Sequence, residues 1–308
     1  MRPIMERLLP APRDGGFRQK EYFVWCGSVI RAEGMFHLFA SRWPRETGFP
    51  EGYRRHSQIV RATCRRAEGP FEFQEVVLAG RGGDWWDGRM CHNPKIIQVG
   101  GTYVLYYNAT DLSGRLLHGK HPIRQVGYAW SESVRGPWRR LDRPLPLGED
   151  TNNPAPYARA DGNIVLVWRD WDLRMHVAEA DRFDGEYRVV ARDVYRPGRL
   201  EDPDLFFADG LYHMVMEDNE GKLTGHVRHG GHMVSGDGVI WRPHEHVRAY
   251  SHEIAFDDGT VVTADRRERP EMFNAAAEVK GNGPPTHLLT GVWHGGEAWN
   301  VVQPIAPA

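Results

Sequence analysis

Glu201-Asp202-Pro203-Asp204-Leu205-Phe206-Phe207 is followed by the turn Ala208-Asp209-Gly210 and by a second apolar run, Leu211-Tyr212-His213-Met214-Val215-Met216. Two apolar runs joined by a short Asp-Gly turn are typical of a β-hairpin. The acidic residues stand just before the first run. The segment therefore predicts a buried strand with carboxylates held at its beginning, and a hairpin partner directly after it.

The same strand–turn–strand pattern recurs along the chain. Placing Pro203 over Pro94 aligns two segments without a gap. The further copies are residues 26–41, 93–108, 153–169 and 251–265. Another strand-like piece follows four of the five copies, and a short final strand closes each unit. Four short antiparallel strands repeated at intervals of about 50 to 70 residues are typical of a β-propeller blade.

The repeat predicts an all-β fold: one five-bladed β-propeller over residues 1–308, with four antiparallel strands per blade and a central funnel. The blades are expected roughly at residues 17–80, 85–147, 150–196, 199–248 and 250–308. The last unit is the least regular, and residues 284–293 with 299–302 are expected to supply its outer strands. Two sandwiched sheets are the alternative, which so regular a repeat disfavours.

The composition excludes several classes of function. The formal net charge is −2 over 308 residues, so nothing indicates nucleic acid or a membrane surface as a partner. The three cysteines lack metal-ligand spacing, and no phosphate-binding loop is present, so no cofactor and no metal site are predicted. No apolar run of about 18 residues occurs. This favours a cytoplasmic protein, although a periplasmic or secreted chain without its leader would look the same.

The strand beginnings predict a site. In a blade the innermost strand follows the central channel and the second strand returns, so the beginning of one and the end of the other share a face of the disc. Five such pairs surround one funnel, which is the default ligand site. The beginnings are Trp25-Cys26, His92-Asn93, Asn152-Asn153, Glu201-Asp202 and His252-Glu253, and the ends include Arg42, Asn108, Arg169, Glu217 and Arg267. At any single position, a plain turn residue at a strand start is an equal alternative.

The Asp-Pro strand starts and the endings Glu68-Gly69-Pro70-Phe71 and Arg135-Gly136-Pro137-Trp138 resemble the five-bladed β-propeller glycoside hydrolases of families 43, 32, 117 and 130. The resemblance implies an oligosaccharide substrate, exo-action and inversion, with an Asp base at the first blade. This sequence departs from that pattern, because Cys26 and Asn93 occupy the positions of the first two aspartates.

Two alternatives stay open at this point. Glu201-Asp202-Pro203 also resembles the strand start of the family 130 mannoside phosphorylases and hydrolases, which implies phosphorolysis. A carbohydrate-binding propeller without activity is the other alternative, and the missing aspartates motivate it.

Glycoside hydrolysis usually needs one carboxylic acid and one carboxylate. Asp202 is the leading candidate for the base or a stabiliser, with Glu201 beside it, and crowding of the two favours a raised pKa on one of them. Asp87, flanked by indoles and a glycine, could form a pocket lip. Glu217 closes the same hairpin as Asp202, and Glu253 is a candidate general acid. A salt bridge to an arginine explains Glu217 and Glu253 equally well.

The candidate substrate-binding residues are the remaining aromatic and polar groups near the strand beginnings and ends: Trp25, Trp86, His92, Asn93, Asn108, Asn152, Asn153, Arg169, His252, Arg267 and Arg269. The arginines could clamp the carboxylate of an acidic sugar. His92 and His252 could also hold a structural ion or water in the channel. A solvated surface is the usual explanation of the charged run 266–269.

Overall fold

The structure is a computed structural model that describes residues 2–277 and 280–307. The predicted five-bladed β-propeller is confirmed. The chain begins with the one-turn helix α1 (Ile4–Arg7) and then forms the first blade. The strands of this blade are β1 (Tyr22–Ala32), β2 (Met35–Pro44), β3 (Gln58–Cys64) and β4 (Glu72–Leu78), paired in that order. A 3-10 turn (Arg45–Thr47) and the one-turn helix α2 (Tyr53–His56) lie between β2 and β3.

The next three blades repeat this antiparallel order. The second contains β5 (Met90–Val99), β6 (Thr102–Thr110), an inserted hairpin of β7 (Leu116–Leu117) and β8 (His121–Pro122), then β9 (Gln125–Ser131) and β10 (Arg139–Arg140). The third contains β11 (Asn152–Ala158), β12 (Ile164–Arg169), β13 (Met175–Ala180) and β14 (Arg188–Arg192). The fourth contains β15 (Leu200–Ala208), β16 (Leu211–Asp218), β17 (His229–Ser235) and β18 (Arg242–Tyr250).

The fifth blade corrects the sequence prediction. The expected inner hairpin, residues 251–265, forms the separate two-stranded sheet of β19 (Glu253–Ala255) and β20 (Val261–Thr263). The blade itself consists of β21 (Arg266–Phe273), β22 (His287–His294) and β23 (Glu297–Pro304). Antiparallel bridges Phe17↔Asn300 and Leu8↔Ile305 place the N-terminal segment on β23 as a fourth strand. The last two strands lie where the sequence predicted the outer strands.

The hydrophobic core lies between neighbouring blades, because inner strands are covered on both faces. Phe39 of the first blade packs with Leu105 of the second, and Val167 of the third packs with Met214 of the fourth. The outermost strands face solvent on one side; β4 alternates between exposed and half-buried residues along most of its length. No helix within residues 2–277 or 280–307 is long and apolar enough to cross a membrane.

Every inner strand carries a β-bulge near its beginning. The register shifts lie between Trp25 and Ser28, His92 and Lys95, Asn152 and Ala155, Glu201 and Asp204, and Glu268 and Glu271. The residue in each bulge has a positive φ between 51° and 60°: Cys26, Asn93, Asn153, Asp202 and Arg269. Bulges turn side chains out of the regular alternation. Here they place one bulge residue from each of the five blades around the central axis.

Candidate active site

The central funnel opens on the face where the inner strands begin, with a volume of about 420 Å³. Aromatic and charged side chains line it together: Trp25, Trp43, Phe49, Tyr53, His92 and Trp171, with Arg124, Arg169, Arg228, Arg266, Arg269, Glu201 and Glu268 among the charged groups. The sequence prediction of a funnel surrounded by strand beginnings agrees with this arrangement. Aromatic faces suit the apolar faces of sugar rings, and charged groups suit hydroxyls or carboxylates.

The five bulge residues form a layer beneath the funnel, which we call the bulge ring. The Cys26 thiol donates to Asn93 Oδ1 at 2.6 Å, and Asn93 Nδ2 donates to Asn153 Oδ1 at 3.1 Å. On the opposite side Arg269 donates to Asp202. With the four prolines that follow bulge residues, the ring leaves a cavity of only about 20 Å³ on the axis. The bulge ring therefore forms the floor of the funnel.

A second layer closes the channel below the bulge ring. This lower ring consists of Ser28, Lys95, Ala155, Asp204 and Glu271, one from each blade. The Lys95 ammonium contacts Asp204 and Glu271, each at 2.6 Å, and donates to the Pro270 carbonyl at 3.0 Å. These residues come from three blades and meet only at the axis. Buried charges require such pairing, so the lower ring ties the blades together.

Three carboxyl groups gather on one side of the floor. Asp202, Glu217 and Glu268 each place an oxygen within 4.8 Å of the other two, and all three are buried. We call them the carboxylate cluster. Arg269 donates to Asp202, and Arg228 Nη1 lies 2.9 Å from Glu268 and 3.3 Å from Glu217. Oxygen ligands of this kind suit a hard divalent cation. The two arginines, however, already supply counter-charge to every member, so a cation does not fit well here.

The carboxylate cluster retains protons. Burial raises the pKa of Asp202 to about 8; Arg269 opposes the shift, and Glu201 and Glu268 add to it. Burial also raises the pKa of Glu217 well above its ordinary value, with repulsion from Glu268 and Asp202 as further causes. Neither oxygen of Glu217 accepts a hydrogen bond within the described residues. Asp202 and Glu217 therefore hold protons near neutral pH.

The pKa of Glu201 is shifted in the opposite direction from those of Asp202 and Glu217. Its Oε1 accepts from Arg169 Nη2 at 2.5 Å, and its Oε2 accepts from Asn219 at 3.4 Å. Burial would raise its pKa, but Arg169, Arg269 and Arg124 together lower that pKa to about 2. Glu201 is therefore ionised in the funnel. The sequence predicted that one acid of the Glu201-Asp202 pair would have a raised pKa, and the surrounding arginines determine which one.

His92 and Cys26 lie at the border of the funnel and the bulge ring. The imidazole stacks on Tyr53 at 4.6 Å, and its Nδ1 is 2.8 Å from Ser57 Oγ. Burial lowers the pKa of His92 well below its ordinary value, so the ring is neutral. The Cys26 sulfur is 3.5 Å from His92 Nε2, but burial strongly raises the pKa of the thiol. A thiolate nucleophile is therefore not available here.

Asp87 and Trp86 do not lie at the funnel, which corrects their predicted roles. Asp87 is fully buried and accepts from Arg81 at 2.5 Å and from the Tyr107 hydroxyl at 2.8 Å, with Arg140 at 3.3 Å. Trp86 stacks on Tyr107. The indoles and the glycine suggested a pocket lip, but two arginines bind the carboxylate inside the second blade.

Glu253, His252 and Arg267 also need correction, since all three were assigned from the displaced fifth blade. Glu253 is exposed on β19, outside the propeller ring. His252 Nε2 meets the Arg228 carbonyl at 3.1 Å instead of lining the funnel. Arg267 is fully buried and donates to the carbonyls of Ser251 and Glu253, so it attaches the β19–β20 hairpin to the fifth blade.

The other predicted residues lie at or just behind the funnel. Trp25, His92, Arg169 and Arg269 line it, whereas Asn93 and Asn153 belong to the bulge ring. Asn152 is buried and accepts from Asn93 at 3.4 Å. Asn108 pairs with His92 across the second blade and is fully buried.

Sequence reasoning missed several residues of the funnel. Glu268 occupies in the fifth blade the position of Glu201 in the fourth, directly before the bulge. Aligning Pro270 with Pro203 would have found it. Arg228 follows β16 in a loop, and Phe49 and Tyr53 lie in the segment between β2 and β3. Those loop positions carry no repeat signal.

No protein-family model matches this sequence. A search of curated proteins finds no match either. The chain is similar in fold to Zg3597, a family 117 glycoside hydrolase of the marine bacterium Zobellia galactanivorans, with a TM-score of 0.68 and 17% identity over 96% of this chain and 88% of that chain.

It is also similar to the catalytic domain of a Coprinopsis cinerea GH62 α-L-arabinofuranosidase, with a TM-score of 0.67 and 13% identity over 98% of both chains. A third similar structure is CoXyl43, a GH43 β-xylosidase/α-arabinofuranosidase from a compost microbial metagenome, in complex with xylotriose. Its TM-score is 0.68, with 12% identity over 97% of this chain and 96% of that chain. At these identities the likeness shows a shared fold.

Proposed function

We propose that this protein is a glycoside hydrolase whose reacting carboxyl groups are Glu201 and Glu268. One observation carries the proposal: these two residues precede the bulges of adjacent blades, and both line the funnel. Glu201 is held ionised by arginine, whereas Glu268 lies against Asp202 and Glu217, whose pKa values are raised. Acid–base cleavage of a glycosidic bond needs an ionised carboxylate and a source of protons, and Glu201 and the carboxyls beside Glu268 supply these two. The shared fold of known glycoside hydrolases agrees with this chemistry.

In the proposed reaction Glu268 passes a proton from Asp202 or Glu217 to the glycosidic oxygen, and the bond between that oxygen and the anomeric carbon breaks. Glu201 takes a proton from a water molecule as the water attacks the anomeric carbon. Asp202 and Glu217 stand behind Glu268 as a store of protons. Inverting pairs are separated by about 6.5–9.5 Å. The cluster members approach within 4.8 Å of each other, so inversion requires Glu201 from outside the cluster as the second group.

The shape of the site supports exo-action. The bulge ring and the lower ring close the floor, so the funnel admits the end of a chain and not its middle. Three arginines near the mouth support a substrate with an acidic sugar. The side chains of Arg54, Arg228 and Arg266 are 36%, 40% and 38% exposed, so each can still reach a ligand. Guanidinium groups bind carboxylates in a paired geometry.

Kinetics on aryl glycosides test this function. We expect release of 4-nitrophenol from one of a set of neutral and uronic acid glycosides. Glu201→Gln and Glu268→Gln should each lower kcat by about 10²–10⁴-fold, as loss of a general acid or base does. Glu253→Gln is the matched control and should leave kcat unchanged. Proton NMR of the first product identifies its anomeric configuration. Full activity in Glu201→Gln would refute the assignment.

Phosphorolysis is the second candidate, because Arg228 and Arg266 lie half-exposed beside Glu268, where a phosphate could bind. Cleavage that requires inorganic phosphate and yields a sugar phosphate would establish it. Turnover independent of phosphate would favour hydrolysis. Sugar binding without turnover of any substrate would instead identify a carbohydrate-binding propeller.

A further inference from the structure

A second cleft lies on the second blade, away from the funnel, with a volume of about 590 Å³. Trp85 lines it and is 41% exposed. The charged groups that line the cleft with this indole are Asp84, Asp111, Arg115, Asp142 and Arg143. Clefts of 300–1,000 Å³ are of the size that binds small organic ligands. The assigned activity leaves this cleft without a role.

The Trp85 ring is held in place from within the protein. The Arg81 guanidinium lies over it at 4.2 Å from the ring centre. Arg81 in turn donates to the buried Asp87 at 2.5 Å and to the Leu141 carbonyl at 2.7 Å. An exposed aromatic ring fixed in this way loses little conformational freedom on binding. The Trp85-Trp86-Asp87 motif thus supports a surface platform instead of a catalytic group.

The chemistry of the cleft matches a carbohydrate chain. An indole face packs against the C–H face of a sugar ring, and carboxylates and guanidiniums hydrogen-bond to its hydroxyls. Three carboxylates face three guanidiniums when Arg81, which pairs with Asp142, is included, so the lining is balanced in charge and offers a polyanion no net attraction. A neutral chain matches both the exposed indole and the charge of the lining.

The cleft shares its face of the disc with the funnel. Asp111 directly follows β6, the second strand of its blade, whose end lies on the funnel side. The β7–β8 insertion separates the two sites: Arg115 lines the cleft, and His121 at the other end stacks on Trp171 of the funnel wall at 4.2 Å. One extended chain could therefore contact both sites.

We propose that the Trp85 cleft is an auxiliary binding site for the neutral stretch of a carbohydrate chain whose acidic end enters the funnel. The nature of the ligand rests on the proposed glycoside hydrolase function. The binding itself is measured without turnover.

Affinity gel electrophoresis tests the site with three soluble probes: hydroxyethylcellulose, arabinoxylan and polygalacturonate. Retardation of the wild type by a neutral probe is expected, with about tenfold weaker binding in Trp85→Ala, as for loss of a central aromatic anchor. Phe73→Ala is the matched control, because Phe73 is also 41% exposed and lies 4.4 Å from a guanidinium, that of Arg42. It should bind like the wild type.

The outcomes separate this inference from the proposed function. Glu201→Gln should be retarded like the wild type although it turns over poorly, and Trp85→Ala should keep the wild-type kcat/KM on aryl glycosides. Retardation of Trp85→Ala equal to that of the wild type would overturn the proposal. So would a wild type that neither neutral probe retards, or a loss of aryl glycoside turnover in Trp85→Ala.

Discussion

Replacing Glu217 by glutamine should change how the stability of this protein depends on pH. The folded protein holds the pKa of Glu217 well above its ordinary value, chiefly through burial. An unfolded glutamate ionises near pH 4.3. Between that pH and the folded pKa, the folded state carries one more proton than the unfolded state. Stability is therefore fully present at low pH and is lost as the pH rises.

The size of the effect follows from the number of protons. One retained proton lowers the free energy of unfolding by about 1.4 kcal/mol for each unit of rising pH. Asp202, whose pKa is raised to about 8, adds a second proton over most of this range. The amide of Glu217→Gln keeps the shape of the protonated acid but does not titrate. Between pH 5.5 and 6.5 the variant should lose roughly 1 kcal/mol less stability than the wild type.

Urea denaturation followed by tryptophan fluorescence measures the free energy of unfolding at both pH values. Other titrating groups are common to the two proteins, so the difference in slope isolates Glu217. Glu253→Gln provides the control, because Glu253 is exposed on β19, and it should follow the wild type. Equal slopes for Glu217→Gln and the wild type would show that Glu217 ionises normally in the folded protein. The proton-retaining cluster, and with it the proposed acid, would then be refuted.

Further predictions concern the buried groups around the blades. Asp87→Asn should lower the free energy of unfolding in urea by about 3–5 kcal/mol, because two arginines lose their buried partner. The kcat of the folded variant should stay unchanged. A loss of kcat without a loss of stability would show that Asp87 has a catalytic role. Lys95→Met should also destabilise the protein, because Asp204 loses its ammonium partner while Glu271 retains that of Lys280. An unchanged urea midpoint would contradict the role of the lower ring. N-ethylmaleimide should react with Cys64 alone in the native protein, because Cys26 and Cys91 are buried and their pKa values are raised. Intact-mass spectrometry counts the adducts, and two or three per protein would contradict this prediction.

Much of the fold could be predicted because each of the first four blades repeats a local pattern. Apolar alternation, an Asp-Gly or similar turn and a polar strand beginning are properties of short segments. The inner strand of the fifth blade could not be predicted in this way. Five of the eight residues of β21 (RRERPEMF) are charged, so the strand resembles a solvated surface. Residues 251–265, by contrast, have the sequence pattern of an inner hairpin but form only the small β19–β20 sheet.

The propeller and the position of Glu201-Asp202 at a strand beginning could be predicted from the sequence, because period and turn chemistry are local. Which carboxyls meet depends on how the blades pack. Glu268 joins Asp202 and Glu217 from another blade, within 4.8 Å, whereas Asp87 is bound by arginines elsewhere. The packing of the blades also sets their charge: Arg169 keeps Glu201 ionised, while burial and repulsion keep protons on its neighbour Asp202. Protonation depends on burial and on charges brought together across blades, and no single segment of the sequence carries that information.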